Sequence, residues 1–171
     1  MTGHEEFSLV SAQRAADEGK LAEWVVGFLA SPGSNNAELA AALAFSGATY
    51  LGPIQLELDR ITPMAGPDEG RVAVPVPKED WESDVEAMEH SMEEGWQPPP
   101  LLVSHREGKY YLEDGNHRYE TLRRSGATHA WTILLFVDEA ERDQFLTSRS
   151  QVGDCSGTDE GCRCQIPHPG C

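Results

Sequence analysis

The chain has 171 residues, of which 39% are hydrophobic and 25% charged, so one domain with its own core is expected. Its charge is unusual, because 13 Lys and Arg against 29 Asp and Glu give a net charge of −16. Affinity for duplex DNA comes largely from cationic side chains that neutralise phosphates, so this charge disfavours DNA as a partner. A local basic site for one small anion is still compatible with it.

The sequence contains no apolar run long enough to predict a transmembrane helix. Residues 1–6 lack the basic and apolar regions of a signal peptide. We therefore expect a cytoplasmic, acidic protein without a membrane partner.

Residues 1–50 are predicted to form an N-terminal helical extension. Apolar residues at roughly helical spacing predict a helix over residues 8–30, although Gly19 weakens that prediction. Asn36 is suited to cap a second helix that runs through Ala44. This helical pair carries no chemical motif, so we expect it to pack against the domain or to contact a partner protein.

Residues 51–147 are predicted to form an α/β (α+β) domain with a small mixed sheet flanked by helices. The predicted strands cover 54–58, 101–103, 109–112 and 129–137, and the predicted helices cover 79–94, 116–125 and 139–147. The first strand alternates apolar and polar residues, and the last has a continuous apolar run typical of a buried strand. The acidic helix has one apolar stripe, formed by Trp81, Val85, Met88 and Met92. The segment 62–78 is rich in Pro and Gly and predicts a loop.

The turn at Asp114-Gly115 leads directly into a predicted helix, an arrangement typical of anion sites. Backbone N–H groups in the first turn of a helix have no partner inside it, and the helix dipole is positive there. A glycine lets a phosphate approach the backbone closely. His117 and Arg118 lie in this first turn, where their donors would reach the same anion. The alternative is an ordinary turn before a surface helix, with both side chains solvated.

The segment from Ile54 to Phe136 resembles the ParB/sulfiredoxin superfamily. The resemblance rests on the strand 54–58 with Asp59-Arg60-Ile61, on Gly95-Trp96-Gln97-Pro98, on Leu101-Leu102-Val103, and on Tyr110-Tyr111-Leu112-Glu113 followed by Asp114-Gly115-Asn116-His117-Arg118. ParB proteins carry a Gly-Glu-Arg-Arg box here, sulfiredoxins carry Gly-Cys-His-Arg, and ADP-dependent free-serine kinases carry Asp-Gly-x-His-Arg. The motif is closest to that of the kinases. The resemblance implies a ParB/sulfiredoxin-like fold with a nucleotide-phosphate pocket.

Two departures narrow what the resemblance implies. Asn116 stands where sulfiredoxins have cysteine, so repair of sulfinic acids is not expected. ParB reads DNA through a helix-turn-helix region after the box, whereas Phe136 is followed here by one short predicted helix and an acidic segment. A ParB-like nuclease or DNA-partition factor is therefore the weakest of the functional alternatives.

The resemblance to the kinases implies a nucleotide-dependent phosphotransferase that acts on a small molecule. The nucleotide (ADP, ATP or CTP, with Mg²⁺) would be contacted by Gly115, Asn116, His117 and Arg118. Glu57 or Asp59 would provide the base or a metal ligand, unless both are simply exposed strand residues. Asp114 would orient His117 or bind metal, or it would be an ordinary turn residue. The alternative function is a nucleotide-binding switch or interaction module without turnover.

Residues 148–171 are predicted to form a flexible tail, because they contain almost no apolar residue. The cysteines of the chain all lie there, at Cys155, Cys162, Cys164 and Cys171, with His168 between the last two. Four thiolates, or three with His168, would suit Zn²⁺, although the spacing is not that of the common zinc signatures. A reduced tail, a substrate of a modifying enzyme and a contact for a protein partner are the alternatives.

Overall fold

The structure is a computed structural model that describes residues 6–67 and 72–152. Within these ranges the helices are α1 (Leu9–Asp17), α2 (Leu21–Ala30), α3 (Ala37–Ala44), α4 (Lys78–Glu93), α5 (Asn116–Arg124) and α6 (Glu139–Val152). The strands are β1 (Thr49–Glu57), β2 (Ile61–Pro63), β3 (Ala65–Gly66), β4 (Val74–Pro75), β5 (Leu101–Arg106), β6 (Lys109–Asp114) and β7 (His129–Phe136). A 3₁₀ turn, Leu58–Arg60, joins β1 to β2.

A mixed sheet with the strand order β1-β7-β5-β6-β2 forms the centre of the fold. β1 pairs antiparallel with β7 and β5 antiparallel with β6, whereas β5–β7 and β2–β6 are parallel pairs. The short strands β3 and β4 form a separate parallel pair. The predicted small mixed sheet flanked by helices is therefore confirmed.

Each face of the sheet has its own hydrophobic core, because successive side chains of a strand point to opposite faces. Leu102 and Ile133 belong to the cluster formed with the N-terminal helices, which includes Phe28 and Leu29. The opposite cluster has Leu101 and other strand residues at its centre. Burying one such side chain fully is worth about 1.5–3 kcal/mol, so α1 to α3 are held to the sheet by a shared core.

The N-terminal helices differ from the prediction in two respects. The single helix predicted over 8–30 is wrong, because the chain breaks between α1 and α2 at Gly19, whose φ of +71° is left-handed. Asn36 precedes α3 as predicted, but its side chain makes no capping bond and instead donates to Asp114.

β1 begins earlier than predicted, and the last helix ends later. β1 begins at Thr49, and an irregularity in its pairing with β7 lies between Leu51 and Ile54, where Gly52 has a φ of +126°. α6 continues to Val152, beyond the predicted end at residue 147. The rest of the predicted tail, including its four cysteines, lies outside the described residues.

The segment predicted as a loop over 62–78 contains β2, β3 and β4. β2 adds a parallel strand to the edge of β6, which places the following residues beside the start of α5. None of the helices within 6–67 and 72–152 has the length and apolarity that a membrane crossing requires.

Candidate functional site

The turn before α5 is built on Gly115, whose φ of +101° favours glycine. A Cβ atom at this position would lie 2.8 Å from Leu101 Cδ2 and 2.9 Å from Arg118 Nη2. The space beside the Cα atom of Gly115 is therefore filled by the protein's own side chains. This close packing explains why a glycine is needed here. The sequence alone suggests another reason, that a phosphate approaches the backbone at this glycine.

Arg118 is buried, with 6% of its side chain exposed, and its guanidinium group bonds inside the protein. Its Nη1 donates to Pro99 O at 2.7 Å and to Pro100 O at 2.8 Å, and its Nη2 donates to Asp114 Oδ2 at 2.6 Å. Burial lowers the pKa of Arg118 below its ordinary value, and the Asp114 carboxylate opposes this shift. The sequence predicted that Arg118 reaches an anion from the first turn of the helix. That prediction is wrong for this side chain, which points into the protein core.

Asp114 is buried too, and both of its carboxylate oxygens accept hydrogen bonds. Oδ1 accepts from Ser34 Oγ at 2.9 Å and from Asn36 Nδ2 at 3.3 Å, while Oδ2 accepts from Arg118. Among the described residues, His117 is not one of its partners. The expected roles of Asp114 as a metal ligand or as the residue that orients His117 are replaced by a structural role.

His117 lies on the side of α5 that faces α4. Its ring packs on the ring of Trp81, with 4.3 Å between the centroids, and its Nε2 is 3.7 Å from Asp84 Oδ2. That Nε2 atom is buried and has no hydrogen-bond partner in the described part of the chain. Burial lowers the pKa of His117 below its ordinary value of 6.5, and the nearby Asp84 carboxylate partly offsets this effect. A neutral imidazole is therefore favoured at pH 7.

Asn116 joins the start of α5 to the segment after β2. Its Oδ1 accepts hydrogen bonds from the backbone N–H groups of Met64 and Ala65, both at 3.0 Å. Asn116 also lines a pocket of about 140 Å³ whose wall includes Trp81 and Arg123. The N-cap residue of α5 is Gly115, which has no side chain to cap the helix, so within 6–67 and 72–152 the N–H groups of its first turn have no side-chain acceptor.

Two arginines line this pocket although the protein is strongly acidic. Arg123 bonds Glu120 through Nε and Nη2, and 59% of its side chain is exposed. Arg124 bonds both Glu82 and Glu120, which raises the pKa of its guanidinium group above the ordinary value. The sequence motif did not include either arginine, because both lie in the last turn of the helix.

The two carboxylates predicted as base or metal ligand lie in the neighbouring pocket. Glu57 and Asp59 are exposed and line a space of about 440 Å³, together with Tyr119 and Arg123. Tyr119 and Arg123 also line the smaller pocket, so the two spaces adjoin across these side chains. The hydroxyl of Tyr119 donates to Leu58 O at 3.3 Å, which ties α5 to the 3₁₀ turn that carries Asp59.

The structure thus separates the predicted residues. Asp114 and Arg118 form a buried ion pair beside the half-buried Gly115, and His117 packs on Trp81. Asn116 lines the small pocket, whereas Glu57 and Asp59 line the larger one. Within 6–67 and 72–152, no three His, Cys, Asp or Glu side chains are grouped to hold a metal ion.

No family model matches the chain, and no curated protein matches it. Similar solved structures do exist, although each is aligned with only part of this chain.

A mutant free serine kinase in complex with ADP is 26% identical to this chain, with a TM-score of 0.37. The aligned region covers 47% of this chain and 30% of the kinase, so the chain spans less than a third of that relative. The sulfiredoxin from Arabidopsis thaliana is 18% identical, with a TM-score of 0.34, over 57% of this chain and 97% of that one.

A C-terminally truncated chromosome-partitioning protein ParB from Caulobacter crescentus, complexed with CTP-gamma-S, is 21% identical. Its TM-score is 0.34, and the aligned region covers 52% of this chain and 45% of ParB. Over about half of its length, this chain is therefore similar to free serine kinase, sulfiredoxin and ParB, the three kinds of protein that its motif resembles.

Proposed function

We propose that this chain binds the phosphate groups of a nucleotide at the first turn of α5. The observation that carries the proposal is the uncapped start of this helix beside a pocket lined by Asn116, Arg123 and Arg124. The N–H groups of a free helix N-terminus and the positive end of its dipole together favour a phosphate. Arg123 would add a charged donor at the pocket wall, because more than half of its side chain is exposed.

The sizes of the two adjoining pockets support a nucleotide as the ligand. The pocket beside Asn116, at about 140 Å³, is smaller than the ~300–1,000 Å³ usual for a small-molecule site. The neighbouring space of about 440 Å³ falls in that range. Phosphate groups would occupy the small pocket, and the rest of the ligand would extend past Tyr119 into the larger one.

The finer proposal is a phosphotransferase that uses ADP, ATP or CTP with Mg²⁺ and acts on a small molecule. Asp59 or Glu57 would then accept a proton from the acceptor hydroxyl in the larger pocket. Mg²⁺ usually binds through one or two carboxylates together with substrate phosphates and water. A single carboxylate such as Asp59 fits that pattern, and a bound ion would neutralise phosphate charge.

A nucleotide-binding switch without turnover is the second candidate function. It is favoured by the use of Asp114, one of the predicted catalytic carboxylates, as a buried structural group. Under this proposal the nucleotide would bind in the same place, and no phosphoryl group would be transferred.

Phosphorus NMR with ADP, ATP and CTP in the presence of Mg²⁺ separates the two candidates. Transfer or hydrolysis supports the phosphotransferase, whereas ligand binding without any product supports the switch. Failure of all three nucleotides to bind at millimolar concentration would contradict both.

The variant Arg123→Gln tests where the nucleotide binds. Because it removes one partly solvated charged donor, we expect affinity to fall about three- to tenfold. Arg142→Gln is the matched control, since Arg142 contacts Asp143 on α6 and does not line either pocket. Equal effects of the two variants would place the nucleotide elsewhere.

A further inference from the structure

We infer that Ser34 and Asn36 are positioning residues for the first turn of α5. The inference rests on the proposed function in one respect, because it assigns these two residues to the phosphate site. Neither residue belongs to the turn, and both lie between α2 and α3. They act through Asp114, the residue that precedes the glycine at the helix start.

The first step is that Ser34 and Asn36 supply the remaining bonds of a buried carboxylate. Ser34 Oγ and Asn36 Nδ2 donate to Asp114 Oδ1, at 2.9 and 3.3 Å. Asp114 Oδ2 is taken by Arg118. A buried charge is costly unless its hydrogen-bonding capacity is used, so all three donors help to keep Asp114 where it is.

The second step is that Asp114 spans the first turn of the helix. Asp114 and Arg118 are four residues apart, so their bond joins the residue before Gly115 to the third residue of α5. The same turn is also held by the first backbone hydrogen bond of α5, in which the Tyr119 N–H donates to Gly115 O at 2.8 Å. A displaced Asp114 would therefore move the N–H groups of Asn116 and His117.

The third step is that the segment carrying Ser34 and Asn36 is itself held in place. The Asn35 N–H donates to Ser31 O at 2.8 Å, and the Asn36 N–H donates to Leu29 O at 2.9 Å. Asn35 has a φ of +54°, in the left-handed region that asparagine tolerates better than most residues. These bonds attach the segment to the end of α2.

The fourth step is a contact from α2, the helix before that segment, to the same ion pair. The ring of Phe28, in α2, lies 5.2 Å from the Arg118 guanidinium carbon, which is within the range of a cation–π contact. The N-terminal helices thus reach both partners, Asp114 through polar donors and Arg118 through an aromatic face. These helices are therefore part of the site, and they set the geometry of its anion-binding turn.

Amide hydrogen exchange on the ligand-free protein tests the inference without using the proposed function. In Ser34→Ala, exchange of the Tyr119 N–H should accelerate about five- to tenfold, because loss of one hydrogen bond to a charged group favours opening of the turn. The Ala12 N–H, which makes the corresponding first bond of α1 by donating to Ser8 O at 3.0 Å, should change much less. A purely structural loss of stability would accelerate both amides together.

Three further variants complete the test. Ser34→Thr keeps the hydroxyl and should restore the exchange rate, and Asn36→Ala should act in the same direction as Ser34→Ala. Ser46→Ala is the matched control, since Ser46 Oγ donates to Leu43 O at the end of α3 and does not contact Asp114. Unchanged Tyr119 exchange in both Ser34→Ala and Asn36→Ala, or equal acceleration of the Tyr119 and Ala12 amides, would overturn the inference.

Titration with ADP then connects the turn to the proposed function. If the wild-type protein binds ADP, Ser34→Ala should weaken binding about threefold or more and Ser34→Thr should restore it. Unchanged affinity in Ser34→Ala would overturn the assignment of Ser34 to the site. If the wild-type protein binds none of ADP, ATP and CTP, the proposed function fails, and the exchange experiment alone decides whether Ser34 and Asn36 position the turn.

Discussion

The burial of Arg118 leads to a large predicted loss of stability in Arg118→Ala. The substitution would leave the Asp114 carboxylate buried without its cationic partner, and Pro99 O and Pro100 O without a donor. Breaking a buried ion pair from one side typically costs ~3–5 kcal/mol, which is a large share of the ~5–15 kcal/mol that stabilises a domain. At ~2–4 °C per kcal/mol for a chain of this size, the melting temperature should fall by roughly 10 °C.

Urea unfolding followed by circular dichroism measures this loss, and two controls sharpen it. Arg123→Ala, which removes an exposed arginine of the same helix, should cost about 1 kcal/mol or less. The double variant Asp114→Leu with Arg118→Met should recover part of the loss, since it removes the buried charge altogether. A free energy of unfolding of Arg118→Ala within about 1 kcal/mol of the wild-type value would contradict this prediction. Arg118 would then be a solvated side chain, as the sequence alone suggests.

Three further predictions concern Gly115, His117 and the net charge of the protein. Gly115→Ala should lower the melting temperature by several degrees, because its φ is +101° and its Cβ would lie 2.8 Å from Leu101, and a melting temperature unchanged from the wild type would contradict this. Because the pKa of His117 is lower in the folded protein than its ordinary value of 6.5, the unfolded chain takes up the proton first, and the free energy of unfolding should fall as the pH drops below that value. Above that pH, protonation of His117 has no effect on the free energy of unfolding. His117→Asn should therefore make the fall in stability toward acid pH shallower, and an unchanged slope would show that His117 is not the group responsible. At physiological salt the protein should not retard duplex DNA in a gel shift, since its net charge is −16, and tight saturable retardation would contradict that expectation.

The sequence was sufficient for four of the five strands of the main sheet and for the helix that follows the motif, whereas the edge strand β2 was missed because its segment is rich in Pro and Gly. The alternation in β1, the apolar run in β7 and the stripe on α4 are local patterns, so their structure could be predicted from neighbouring residues. The break at Gly19 was missed because apolar residues continue at helical spacing on both sides of it. The extension of α6 to Val152 was missed because its last residues are polar and show no apolar periodicity.

The turn at residues 114–118 could be singled out from the sequence, but the partners of its side chains could not. Asp114 and Arg118 look like surface residues of a turn as long as their partners are unknown. Those partners are Ser34, 80 residues from Asp114, and Pro99, 19 residues from Arg118. Hydrophobic periodicity and short motifs describe neighbouring residues, so they cannot predict contacts between residues this far apart in sequence. These contacts are seen only in the folded structure.

Phosphate binding at the first turn of α5 is the proposal on which the nucleotide functions depend. The direct measurement is a titration of the ¹⁵N-labelled protein with ADP, followed by two-dimensional ¹H–¹⁵N NMR. We expect saturable shifts that are largest at the backbone amides of Asn116 and His117 and at the Nε–H of Arg123. Saturable shifts confined to other parts of the domain, or no shifts with any of ADP, ATP and CTP at millimolar concentration, would contradict phosphate binding at this turn.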